Sequence, residues 1–221
     1  MSRPQAPVER CARCDKPTNI CVCDKIREIE TRTRVLILQH PREDDHVLGT
    51  AKLLALTLPK AILRRGLSWA SLTDALGEKA EPSRFGVLYP MSLMQPLSEE
   101  DKSKPYLVLD RRGDVQKTPP RLEGVVVLDG TWSQGKSLWW RNPWLLKLNR
   151  VILHPREASI YGKLRKEPRR EFVSTLEAVA DVLVHNGEPE TTREELRRNF
   201  RTMVQRARES APPKRRAYSQ D

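Results

Sequence analysis

Two constellations in this chain combine residue types that chemistry requires. The first is Asp129-Gly130-Thr131-Trp132, which directly follows Val125-Val126-Val127-Leu128. That apolar run, mostly β-branched, predicts a strand buried on both faces, as inside a parallel sheet. It stops on a carboxylate, a glycine free to take unusual backbone angles, and a hydroxyl. Ser133-Gln134-Gly135-Lys136-Ser137-Leu138-Trp139-Trp140 then reads as the first turns of a helix. A strand whose carboxyl end passes straight into a helix is where open α/β sheets bind ligands. The same residues also suit an ordinary strand-to-helix turn with Asp129 or Thr131 as N-cap. The indole of Trp132 beside the polar strand end favours a site.

The second constellation is Cys11-x2-Cys14-x6-Cys21-x1-Cys23, which holds all four cysteines of the chain. Nothing points to secretion, so a disulfide framework is not expected. Four thiolates in a short, turn-rich segment match a closed tetrahedral zinc site, the alternative being four reduced, unliganded thiols. A closed site leaves no open coordination position, so the metal is expected to be structural. Its removal should unfold about the first thirty residues. Arg10, Arg13 and Lys16 surround the cluster and offer contacts to RNA.

The elements that must position these residues follow from periodicity. Arg34 to Pro41, Ala61 to Leu63, Phe85 to Pro90, Tyr106 to Asp110, Val125 to Asp129 and Val151 to Pro155 read as strands. Leu48 to Leu58 and Ser68 to Leu76 carry helical patterns, the second ended by Gly77. Ser174-Thr175-Leu176-Glu177 is a capping box that opens a helix over about 175–185. Thr191 or Thr192, with Glu194 or Glu195, opens a last helix that runs to about Arg208. Strands alternating with helices predict an α/β fold with a mostly parallel sheet. Residues 111–124, basic and containing Pro119-Pro120, read as a surface loop. Arg34 to Glu43 and Arg150 to Glu157 both run into His-Pro-Arg-Glu; this echo marks a polar sheet edge unless it is coincidence.

Lys and Arg number 40 against 29 Asp and Glu, for a net charge of +11. Such a field favours polyanions, with nucleic acid the commonest partner. The cations cluster at Arg64-Arg65, Arg111-Arg112, Lys163 to Arg170, Arg193 to Arg206 and Lys214 to Arg216. Tyr161-Gly162-Lys163-Leu164-Arg165-Lys166-Glu167-Pro168-Arg169-Arg170 suits gripping phosphate and stacking on a base, and equally suits a solvated charge run. No apolar run approaches the ~18 residues of a membrane span, and no signal-peptide pattern opens the chain. A cytoplasmic location is expected.

Asp129-Gly130-Thr131-Trp132 with its flanks resembles the Asp-Thr-Trp signature of the DTW-domain family. The four-cysteine cluster, His40-Pro41-x-Glu43, Tyr161-x3-Arg165-Lys166-x-Pro168 and Ser174 to Ala178 resemble its other blocks, in the same order along almost the whole chain. This chain departs from the family at Gly49-Thr50-Ala51, where Asn-Thr-Gly or Asn-Thr-Ala is usual, and at Gly135, where Ala is usual. The resemblance implies a SPOUT-like α/β domain with a C-terminal knot. It also implies transfer of the 3-amino-3-carboxypropyl group of S-adenosylmethionine to N3 of a tRNA uridine.

Placed on this chain, it divides the sequence into a zinc-binding segment (1–30), a catalytic domain (31–210) and a disordered basic tail (211–221). Asp129 becomes the catalytic base. Thr50, Leu128, Thr131, Trp132, Ser174, Thr175 and Glu177 become cofactor contacts, the 174–175 helix start offering amide N–H groups to the cofactor carboxylate. Tyr161, Lys163, Arg165, Lys166 and Arg169 become tRNA contacts, and Cys11, Cys14, Cys21 and Cys23 hold zinc. Alternatives on the same residues are aminocarboxypropyl transfer to rRNA, RNA methylation, and a non-enzymatic zinc-knuckle RNA-binding protein.

Overall fold

The six apolar runs become the strands of one sheet. They are β1 (Arg34–Gln39), β2 (Ala61–Arg65), β3 (Phe85–Leu88), β4 (Tyr106–Leu109), β5 (Gly124–Asp129) and β6 (Asn149–Leu153). A computed structural model describes residues 9–43, 46–88, 97–155, 157–162, 164 and 173–210. The strand order is β2-β1-β5-β3-β6-β4. Every pairing is parallel except that of β4 with β6.

The helices are α1 (Ala51–Thr57), α2 (Leu72–Leu76), α3 (Glu99–Ser103), α4 (Trp132–Arg141), α5 (Thr175–His185) and α6 (Glu190–Glu209). Both faces of the sheet are covered, which is why its central strands read as unbroken apolar runs rather than alternating ones. Val35 and Ile37 of β1, with Val125 and Val127 of β5, pack under α1, α5 and α6. Leu36, Leu38 and Val126 pack on the other face against α2, Trp139 and Trp144. Because side chains alternate along a strand, the next positions, Gln39 and Asp129, fall on the α1/α5 side, and they are paired in register.

The α5 boundaries and capping box match the sequence expectation. Three helix starts differ. α1 begins at Ala51 rather than Leu48, because residues before it turn through Gly49 N–H to the His46 carbonyl. α2 begins at Leu72, where Ser71 accepts from Asp74 N–H and so caps the helix, and it ends as expected at Gly77 with φ 82°. α6 starts at Glu190 behind Pro189 with no side-chain cap, since Thr192 is turned inward and buried. The acidic helix α3, capped by Ser98, has too few apolar positions to have been visible as periodicity. Residues 89–90, at the expected end of β3, and 211–221 lie outside the described residues.

The His-Pro echo falls at one edge, because β1, β5, β3 and β6 run parallel, yet two strands separate its copies. His154 Nδ1 lies against the Lys104 carbonyl at 2.6 Å, and Glu157 pairs with Arg197 on α6. The basic track expected along 193–206 is largely neutralised within the fold. Arg193 pairs with Glu190 and Asp181, Arg198 with Glu195, and Arg206 with Asp24. Among the described residues no helix is long and apolar enough to cross a membrane.

Candidate active site

Asp129 ends β5 at 4% exposure. Its Oδ2 accepts from Gln39 Nε2 at 2.8 Å, and its Oδ1 accepts from the Thr175 hydroxyl at 2.6 Å. A carboxylate has about four acceptor positions, so two donors orient it and leave it able to take a proton. The chain must turn sharply after it. A Cβ at Gly130 would come within 2.9 Å of Gln134, and only glycine avoids that approach. Thr131 then caps α4 in a box with Gln134, and Lys136 Nζ sits 5.3 Å from the centroid of the Trp132 ring.

α5 is docked by polar contacts as well as by its apolar face. Glu177 is buried, and it accepts from Ser159 Oγ (2.7 Å), Ile160 N–H (2.8 Å) and Ser174 N–H (2.9 Å). Ser174 Oγ in turn accepts from Glu177 N–H, and buried Thr50 accepts from Leu176 N–H at 3.2 Å. Glu177→Ala removes one acceptor and strands three donors, each costing about 1–3 kcal/mol when left buried and unpaired. A loss of at least about 3 kcal/mol is expected in urea denaturation, whereas Glu177→Gln, which keeps one oxygen, loses less.

The structure thus brings Asp129, Thr50, Ser174, Thr175 and Glu177 together at the carboxyl ends of β1 and β5. It separates others from them. Leu128 points to the opposite face of the sheet and packs against the α2 cluster. The α5 amides expected to meet a ligand carboxylate are engaged internally at Leu176 and Glu177. Tyr161 is not on the surface: at 1% exposure its ring stands edge-on to Phe200 and its hydroxyl donates to the Leu48 carbonyl at 2.7 Å. In this place it braces the turn before Thr50 and presents no face to a base. Lys163, Arg165, Lys166 and Arg169 lie outside the described residues.

The four Sγ atoms of Cys11, Cys14, Cys21 and Cys23 all lie within 4.8 Å of one another. Cys11–Cys23 is 3.9 Å and Cys14–Cys21 3.6 Å. Tetrahedral Zn–S bonds near 2.3 Å require an S···S edge of about 3.8 Å, so the set fits zinc. Asp15 makes the turn with φ 57°, a conformation that Asp tolerates. The Arg10 guanidinium, and then Lys52, hold its carboxyl down to about 2.

The Cys14 backbone N–H lowers the Cys11 thiol to about 6, whereas burial pushes Cys21 and Cys23 up. Metal binding must therefore displace protons from the raised thiols. Affinity should rise with pH and be lost in acid, a chelator stripping zinc faster at about pH 5.5 than at about pH 8. Zinc content after dialysis across that range checks this.

The cysteine segment is built into the fold. Val22 belongs to the main core, with Ile26 and Ile29 packed against it. Arg206 of α6 donates to the Cys21 carbonyl and pairs with Asp24. Lys16, read from sequence as an RNA contact, is 6% exposed. Its Nζ donates to the carbonyls of Val47 (2.9 Å) and Gly49 (2.6 Å), and burial brings its ammonium down to about 8. Gln39 is the residue beside Asp129 that the sequence reading missed. Its signal was a lone amide closing an otherwise apolar buried strand, while nothing in the sequence marked Lys16 as a buried brace of the turn before Thr50.

A doubly covered, mostly parallel sheet with a polar cluster at a strand-to-helix turn, and a four-cysteine segment bonded to α6, define an α/β protein with a candidate ligand site at the carboxyl ends of β1 and β5. The DTW domain matches residues 8–208, and the chain belongs to that family. It is similar to tRNA-uridine aminocarboxypropyltransferase 2 of Mus musculus, 30% identical over 178 residues, 78% of this chain and 55% of the relative. The Macaca fascicularis protein of that name is 30% identical over 188 residues, 81% of this chain and 58% of the relative. The Arabidopsis thaliana tRNA-uridine aminocarboxypropyltransferase A is 32% identical over 211 residues, 86% of this chain and 76% of the relative. The chain thus spans little more than half the length of the two mammalian relatives. No solved structure matches it.

Proposed function

We propose that this protein transfers the 3-amino-3-carboxypropyl group of S-adenosylmethionine to N3 of a uridine in tRNA. The observation that carries the reading is Asp129, buried at the end of β5 and oriented by Gln39 and Thr175, in a chain whose relatives bear the name of that activity. Uridine N3–H is a weak acid, so a fixed carboxylate assists by accepting its proton as attack begins. N3 forms a bond to the γ-carbon, the carbon–sulfonium bond breaks, and the electron pair stays on sulfur, so 5′-methylthioadenosine departs. The sulfonium needs little activation, and the protein's main contribution is to present the γ-carbon rather than the methyl.

Thr50, Thr131, Trp132, Ser174 and Thr175, with the main chain of Leu128, are proposed to line the cofactor site, Glu177 holding the α5 start in place. Lys163, Arg165, Lys166 and Arg169 are proposed to grip tRNA phosphates. Arg165→Ala then weakens tRNA binding and lowers its salt dependence by about one counterion. A segment over 1–30 holding structural zinc, a catalytic domain over 31–210 with a C-terminal knot, a basic tail over 211–221 and a cytoplasmic location complete the proposal. The knot is consistent with α5 returning to pack against α1, β5 and β6.

Two preparations of S-adenosylmethionine, radiolabelled in the carboxyl group or in the methyl group, test this with tRNA transcripts. Carboxyl label in tRNA is expected. Methyl label would make the protein a methyltransferase, and neither label in tRNA would overturn the reading.

A further inference from the structure

We propose that the small pocket between Gln39 and Lys16 binds the zwitterionic end of the cosubstrate, Gln39 Oε1 accepting from the α-ammonium and Lys16 Nζ donating to the α-carboxylate. The inference rests on the cosubstrate assignment above and deepens it: it names what distinguishes the transferred group from a methyl.

The first observation is an orphaned acceptor. Gln39 is 3% exposed, and its Oε1 is buried with no hydrogen-bond partner among the described residues. The amide cannot be turned over to cure this, because Nε2 is held by the Asp129 carboxylate at 2.8 Å. A flip would set oxygen against oxygen. Buried acceptors in native proteins are nearly always satisfied, by protein, water or ligand. This one lines a pocket whose enclosed part admits no more than one water-sized group, the size of an ammonium.

The second observation is the charge around that pocket. Two carboxylates, Asp15 and Glu43, and three cations, Arg10, Lys16 and Lys52, line it. An ammonium placed there supplies the Gln39 oxygen with the donor that the described fold does not. Lys16 Nζ spends two N–H groups on the Val47 and Gly49 carbonyls. An ammonium has three, so one remains for an acceptor in the pocket. Of the three cations that line the pocket, Arg10 and Lys52 both hold the Asp15 carboxylate, which leaves Lys16 as the one placed to take the cosubstrate carboxylate.

The consequence is specificity. Asp129 and the ammonium partner are tied through one amide, so the amino-acid end is anchored at a fixed offset from the base. Such anchoring turns the carbon between amino acid and sulfur toward the nucleophile.

Calorimetric titration with S-adenosylhomocysteine, its analogue lacking the α-amino group, its analogue lacking the carboxyl group, and 5′-methylthioadenosine tests this on the zinc-loaded full chain. The wild-type protein is expected to prefer S-adenosylhomocysteine over either truncated analogue by about tenfold to a hundredfold, the range for a hydrogen bond to a charged group. Gln39→Leu should lose the preference for the amino group and Lys16→Met the preference for the carboxyl, each read as the ratio of S-adenosylhomocysteine to truncated-analogue affinity within that variant. Equal binding of all four ligands by the wild-type protein, or full discrimination by Gln39→Leu, overturns the cradle while sparing the cosubstrate. Binding of none of them overturns both. The wild-type series decides without reliance on either variant's folding.

Discussion

Asp129→Asn is expected to abolish aminocarboxypropyl transfer while leaving the protein folded and able to bind tRNA. The replacement keeps shape but loses the ability to accept a proton. Its amide oxygen can still receive Gln39 Nε2, and its NH2 can face Thr175, whose hydroxyl is free to rotate and accept instead of donate. The fold therefore loses about 1 kcal/mol. The base is gone, and positioned proton transfer contributes about 10²–10⁴-fold. Single-turnover rates with saturating S-adenosylmethionine and tRNA measure the effect, with the unfolding midpoint as control. A variant with full activity would remove Asp129 as the base and leave orientation by the neighbouring residues as the whole of the protein's contribution.

The second large effect is on stability. Cys14→Ser, or removal of zinc by a chelator, is expected to release the segment up to about residue 30, because structural zinc supplies about 10–16 kcal/mol of folding free energy in small sites. From sequence, the loss would stay local. The packing of Val22, Ile26 and Ile29 into the main core extends the damage to the floor under α6. The bonds from Lys16 to Val47 and Gly49 extend it to the turn that sets Thr50 against α5. A fall in melting temperature of several degrees and a loss of cosubstrate affinity of at least about tenfold should accompany metal loss, since two ordering contacts of the site go with the segment. Metal content by mass spectrometry, read beside melting and binding, checks this; unchanged zinc in Cys14→Ser would disprove the four-thiolate site.

What was legible in the sequence was whatever local pattern determines. Six short apolar runs gave six strands, most plainly at β1 and β5, where a doubly covered sheet leaves no polar alternation to confuse. Ser174 and Glu177 announced α5 to the residue because a capping box is a local device. The pairing of Gln39 with Asp129 was not legible, since register between β1 and β5 joins positions 90 apart in the chain. Tyr161 misled because an aromatic among cations reads as a stacking platform, while the turn that folds it inward against Phe200 depends on α6. The arginines of α6 misled in the same way. Composition shows their number, and only the fold shows that Asp24, Asp181 and Glu190 answer them.

The most direct test of the central claim is the mass of the nucleosides recovered from tRNA transcripts after incubation with the zinc-loaded protein and S-adenosylmethionine. A uridine heavier by one aminocarboxypropyl group, formed together with 5′-methylthioadenosine by the wild-type protein and not by Asp129→Asn, is the predicted result. A nucleoside heavier by one methyl group, or unmodified tRNA from folded, metal-loaded protein, would contradict it.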